Sequence, residues 1–261
     1  AGAAPLQRPS ARYRKTGGHG QYMPPAVADN DPMKPSRGAL ADILIAMDNA
    51  SHAAARPNPA RLLAVSKTQP VAAIAALAAA GQKAFGENYV QEAQHKVLAL
   101  AGGGLEWHLI GHLQSNKAEL AAGLFDWVQT VDRAKLVEAL ARYRPEGRPP
   151  LSVLIQVNID DEASKHGCRP EEVPALAAAI ARQPRLRLRG LMAIPTPHAN
   201  IEVRRPAYRD MATLFQQLSE LHPGIDTLSM GMSDDYALAI AEGATMVRIG
   251  TALFGARPST P

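Results

Sequence analysis

Cysteine is nearly missing from this 261-residue chain. Cys168 stands alone, so no internal disulfide can form and no thiolate cluster is available for zinc or iron–sulfur chemistry. Long apolar runs are missing as well: no stretch approaches the roughly 18 consecutive apolar residues of a membrane helix, and the first 38 residues lack the apolar segment of a secretory signal. Neither sign of charge dominates. The 28 basic residues stand against 24 acidic ones, and this mild excess, concentrated near the amino terminus, gives no support to a nucleic-acid partner. A Gly-x-Gly-x-x-Gly turn, which opens dinucleotide-binding sheets, is also lacking. The expectation is a soluble protein of the reducing cytoplasm, without a membrane partner. At 46% hydrophobic residues it can bury one substantial core.

Residues 1–38 are rich in Pro, Gly and Arg and have no sustained apolar period, which predicts a flexible basic extension. Leu40, Ile43, Leu44 and Met47 then recur at helical spacing and predict a helix over 40–55. An alternation follows. Strand signals fall at 62–65, 83–85, 105–110, 125–131, 151–157, 186–191, 225–228 and 245–249, with helical patterns between them. Asp132 is placed to cap a helix over 133–143. The largely apolar run 151–157 suits a strand buried on both faces. Eight strands alternating with helices predict a single-domain α/β fold, a closed (β/α)8 TIM barrel over 39–257, with a C-terminal tail at 258–261.

In such a barrel, functional groups collect at the carboxyl ends of strands. Lys67 stands just past the first apolar run, in RLLAVSKTQP, where its stem can stay in the core while its amine faces a pocket. Desolvation there lowers an amine's pKa and makes it a nucleophile toward an aldehyde. Arg248, Gly250 and Thr251 follow the last strand, where phosphate sites of barrels often lie. Ser229, Met230 and Ser233, around Gly231, come from the strand before it. Together the clusters describe a site for an aldehyde-bearing phosphate, and pyridoxal 5'-phosphate meets those requirements. Trp107 and His108 are expected to line the pocket at the third strand. His108 and His112 are four residues apart, but Gly111 between them argues against a metal-binding helix, so no metal is expected.

Five segments in order, AVSKTQP (64–70), FGENYVQE (85–92), HLIGHLQSNK (108–117), SMGMSDDY (229–236) and VRIGTALFG (247–255), resemble the YggS/PROSC family of pyridoxal phosphate homeostasis proteins. The likeness spans roughly residues 40–255. It implies a barrel like the amino-terminal domain of alanine racemase, with pyridoxal 5'-phosphate held as a Schiff base on Lys67. It further implies Arg248 at the pyridine nitrogen, and Ser233, Gly250 and Thr251 on the phosphate. Ser229 and Met230 would contribute less, and Asn88 would lie in the pocket beside these contacts. The implied role is cofactor homeostasis in amino and keto acid metabolism, by a monomer that hands cofactor to transient recipient apoenzymes. The alternative is a small cofactor-dependent amino acid racemase or related low-activity enzyme. Efficient catalysis is not expected. An arginine at the ring nitrogen weakens the electron sink, no tyrosine can be assigned a second proton-transfer role, and the chain ends at Pro261 without the expected room for a racemase-type second domain.

Overall fold

The computed structural model describes residues 37–162 and 165–255. The expected extension, apart from its last two residues, and the expected tail at 258–261 lie outside the described residues. Helix α1 (Arg37–Ala53) leads into β1 (Arg61–Val65), α2 (Val71–Ala79), β2 (Ala84–Glu87), α3 (Val90–Ala99) and β3 (Glu106–Leu109). A 3-10 turn and α4 (Ala118–Leu124) precede β4 (Trp127–Val131), α5 (Ala134–Tyr143) and β5 (Leu151–Val157). The second half continues with α6 (Val173–Ala181), β6 (Leu186–Ala193), α7 (Arg205–Leu221), β7 (Thr227–Ser229), α8 (Tyr236–Ala241), β8 (Met246–Ile249) and the single turn α9 (Thr251–Phe254).

The eight strands close in chain order, and every pairing is parallel. Alternation of side chains across each strand builds two apolar zones. In β1, Leu62 and Ala64 join the large cluster between barrel and helices, whereas Leu63 packs inside with Ala84 and Met246. Trp127, Leu154 and Met192 fill another part of the interior. β5 is thus largely buried on both faces, as its sequence run predicts, with Leu151, Val153, Ile155 and Val157 in the outer cluster and Leu154 inside between the polar Ser152 and Gln156.

Three local expectations fail. Asp132 does not cap α5: the N-cap residue is Arg133, and the Asp132 carboxylate instead accepts from Arg133 Nη1 at 2.5 Å. Helix α8 starts at Tyr236, after a turn over residues 233–235, where the sequence pattern predicts a helix over 234–241. β6 runs two residues further than predicted, to Ala193, through a register shift opposite Val153 and Leu154. Gly190 makes that shift possible: its φ is +145°, and a Cβ there would lie 1.9 Å from the Thr227 carbonyl oxygen. Arg189 beside it lies over the Trp127 ring, 4.5 Å from its centroid. Among the described residues, no helix is long and apolar enough to cross a membrane.

Candidate functional site

Strand register brings the predicted residues to one mouth of the barrel. Ala64 pairs with Ile249, so the Lys67 turn and the Gly250–Thr251 step leave neighbouring strands side by side. Val65 pairs with Gly86, which sets Asn88 level with Lys67 on the other flank. The β7 loop joins them, since the Arg248 amide donates to the Gly231 carbonyl at 3.0 Å. Lys67, Asn88, Ser233 and Gly250 are half-buried there, and Thr251 is exposed. A Cβ on Gly250 would meet the Val65 carbonyl oxygen at 3.2 Å, so the glycine lets the end of β8 lie close against β1. The amides of Leu253 and Phe254 turn back onto the Gly250 carbonyl. Those of Thr251 and Ala252, at the start of the turn, have no partner within it.

An ion cluster that the sequence did not disclose fixes the backbone on both sides of Lys67. Lys96, on α3, is buried and donates to the Ser66 carbonyl at 2.8 Å, to both Glu87 oxygens at 2.9 and 3.0 Å, and to Glu92 Oε1 at 2.6 Å. Ser66 Oγ donates to Glu87 at 2.5 Å. On the far side of Lys67, the Thr68 amide donates to Glu92 Oε1 at 2.6 Å. Thr68 has a φ of +64°, a left-handed conformation costly for a β-branched residue. The bond to Glu92 helps hold it. Burial raises the Glu87 pKa, against the lowering from Ser66 and Lys96. The Glu92–Lys96 spacing is the one sequence signal for this cluster; its burial is tertiary.

Arg248 is buried at the end of β8, with Nη1 donating to Ser229 Oγ and Nη2 to the Ala193 carbonyl, each at 2.8 Å. Burial lowers its pKa to about 10, so the guanidinium remains charged at neutral pH. Among the described residues no carboxylate pairs with it. The Ser229 hydroxyl is engaged inside the barrel by Arg248 and Gln129, and the Met230 side chain belongs to the apolar core, which leaves the backbone of their loop as what the two residues can offer at the mouth. Trp107 and His108 do not line the mouth either. Trp107 packs beside Phe85 in the outer core, and His108 is fully buried in the barrel interior.

Asp235, overlooked in the sequence, holds the β7 loop in place. It accepts from Tyr208 Oη at 2.7 Å, from the Met232 amide at 2.7 Å and from Arg204. Gly231, at φ +88°, leaves no room for a side chain: its Cβ would stand 2.5 Å from the Ala239 Cβ.

A cavity of about 290 Å³ opens among Asn88, Gly111, Gln156, Asn158, Lys165 and His166. Asn88 is common to it and to the predicted residues. Gln156 Oε1 is buried there without a hydrogen-bond partner among the described residues. At its edge, ligand atoms of His112, Asp132 and His166 lie within 4.8 Å of one another. The two imidazoles are stacked at 3.7 Å, so their in-plane lone pairs run alongside each other instead of meeting at one point.

A family model described as alanine racemase, N-terminal domain, matches residues 46–258. The chain is thus one of the parallel barrels of that class. The alanine racemase of Corynebacterium glutamicum shares its fold at 18% identity and a TM-score of 0.61, over 87% of this chain and 63% of that one. Much nearer is the pyridoxal phosphate homeostasis protein of Haemophilus influenzae, 56% identical over 77% of this chain and 86% of its own length. Its counterpart in Pseudomonas aeruginosa is 53% identical over 84% and 94%. PipY of Synechococcus elongatus, solved with PLP bound, superposes at a TM-score of 0.71 with 37% identity, over 84% of this chain and 99% of that one. The chain belongs to the YggS/PROSC family, the pyridoxal phosphate homeostasis proteins.

Proposed function

We propose that this chain binds pyridoxal 5'-phosphate at the C-terminal mouth of the barrel, and holds and releases it to maintain the supply for amino and keto acid metabolism. The observation that carries the reading is the convergence of Lys67, Arg248 and Gly250 through the β1–β8 register. The donor set fits the group. An amine, a charged guanidinium with no carboxylate partner among the described residues, two hydroxyls and the amides of a first helical turn stand at one opening. Gln156 Oε1 is a buried acceptor that a bound ligand or an ordered water would satisfy. The relatives' names, and the PLP in PipY, support the same assignment.

Lys67 would hold the aldehyde carbon as a Schiff base, Ser233, Gly250 and Thr251 the phosphate, and Arg248 the pyridine nitrogen, with Asn88 alongside. When bound, the cofactor supplies an electrophilic aldehyde and an electron-accepting ring. Arg248 offers only donors, so it opposes a proton on the ring nitrogen and favours storage over turnover. The cofactor-binding unit is the barrel of residues 39–257, working as a cytoplasmic monomer whose partners are recipient apoenzymes.

The test mixes cofactor-loaded protein with an apoenzyme that requires pyridoxal phosphate, while a panel of L- and D-amino acids is followed for stereochemical conversion. Activation of the apoenzyme without appreciable conversion is expected. Robust conversion that disappears in Lys67→Ala would make a racemase the better description. The phosphate assignment has its own measurement. Thr251→Val and Ser233→Ala should each weaken cofactor retention roughly tenfold to hundredfold, the range for a hydrogen bond to a charged group of about 1.5–3 kcal/mol. Unchanged affinity in both folded variants would remove these residues from the phosphate site.

A further inference from the structure

A line of buried polar side chains runs through the barrel from Arg248 to the opposite mouth. Arg248 Nη1 meets Ser229 Oγ at 2.8 Å, Ser229 Oγ meets Gln129 Oε1 at 2.7 Å, and Gln129 Nε2 meets His108 Nδ1 at 2.9 Å. His108 Nε2 then meets Glu106 Oε1 at 2.8 Å, where Arg61 Nη2 also donates at 2.7 Å. Arg248, Ser229, Gln129 and His108 are all buried, whereas Glu106 and Arg61 open each of their strands at the amino-terminal end.

Donor chemistry fixes every proton in this line, starting from the arginine. A guanidinium can only donate, so Ser229 Oγ accepts and its single proton goes to Gln129 Oε1. That orients the Gln129 amide with its donor nitrogen toward His108, whose Nδ1 must accept. The imidazole proton therefore sits on Nε2 and is donated to Glu106. A second proton, on Nδ1, would face the Gln129 donor, and turning that amide over would strand the Ser229 proton. Burial opposes protonation of His108 as well, while the hydrogen bonds from His108 and Arg61 and the Arg61 charge hold the Glu106 carboxyl below its ordinary range against its own burial. Every bond thus points from Arg248 toward one ionised carboxylate.

We propose that Gln129, His108 and Glu106 are positioning residues for Arg248: their one-directional hydrogen-bond line fixes its guanidinium at the ring-nitrogen position, with the Glu106 carboxylate as the distant anionic end. This deepens the cofactor reading and rests on Arg248 as the ring contact. The line does what a carboxylate salt-bridged directly to Arg248 would do for orientation, yet among the described residues no carboxylate bonds to the guanidinium, and Asp235 acts on it only through space.

The test has one arm without cofactor and one with it. In ¹⁵N-labelled cofactor-free protein, the His108 imidazole should show the Nε2–H tautomer across the neutral pH range, and the Arg248 guanidinium protons should be sharp. Gln129→Leu, which keeps the volume and cuts the line, should lose the tautomer preference and broaden the Arg248 signals. Glu106→Gln, at a partly exposed position, should keep the tautomer but shift those signals. With pyridoxal phosphate added, Gln129→Leu should shift the visible band and weaken retention roughly fivefold, the net worth of one hydrogen bond. A wild-type Nδ1–H tautomer overturns the proposal even where Gln129→Leu does not fold. Arg248 signals unchanged in folded variants overturn it too. Failure of the wild type to take up pyridoxal phosphate would instead count against the cofactor reading, and the cofactor-free arm would still decide the line.

Discussion

Replacing Lys67 with alanine is expected to abolish the pyridoxyl adduct that borohydride reduction fixes on the wild-type chain. The lysine stands two residues past the end of β1 and is half-buried, and both of its neighbours are held by the cluster centred on Lys96. A lysine whose backbone is held on both sides offers its amine from a fixed point beside the mouth. Other lysines near the mouth have different employment. Lys96 is enclosed by two glutamates, and Lys165 donates to Asp160 and Thr196. Peptide mass analysis should therefore find the adduct on Lys67 in the wild type and on no lysine in Lys67→Ala. Some cofactor should still be retained reversibly by Ser233, Thr251 and Arg248. An adduct found reproducibly elsewhere in the wild type would end the assignment.

That lysine was legible because a single strong pattern marks it: an apolar run short enough to be a strand, then a lone cation before a helix start. The barrel was legible for a related reason, since parallel strands covered on both faces read as apolar runs and recur with helices between them. The inner face was harder. Glu106 and His108 are two residues apart on β3, and Gln129 interrupts β4, so period-two spacing did carry the signal for polar groups inside the barrel. What the spacing could not give was which strand would face which. The sequence places the Ser229 hydroxyl near a strand end, but does not disclose the cross-barrel approach of Gln129 that accepts its proton. Asp132 shows the limit at short range, where the neighbouring Arg133 side chain takes the carboxylate that would have capped α5. Lys96 and Asp235 look like surface charges in the sequence. Only the tertiary fold buries them and makes them organise the two loops that flank the mouth.

Lys96→Met carries the largest expected cost in stability. Lys96 meets four acceptor atoms with its three N–H donors, from a side chain with 5% relative exposure, and its main partner, Glu87, is fully enclosed. Methionine fills the stem's volume but leaves Glu87 as a buried carboxylate without its cation, a loss of about 3–5 kcal/mol. Urea unfolding would measure it. The sign of its pH dependence follows from Glu87. Burial already raises that pKa above the ordinary 4.5, and removing the lysine takes away one of the influences that lower it. A carboxyl whose folded pKa exceeds its unfolded one favours the fold while protonated, and that advantage is lost as pH rises through the folded value. The deficit of the variant should therefore be smallest in acid and grow toward neutral pH. Adding Glu87→Gln should recover much of it by removing the stranded charge. The same substitution frees the Ser66 carbonyl and loosens Glu92, which holds the left-handed Thr68, so the yield of reduced adduct on Lys67 should fall even where the variant is folded. A loss below about 1 kcal/mol, flat with pH, would mean that Glu87 finds water or another donor and that the cluster does not set the lysine's geometry.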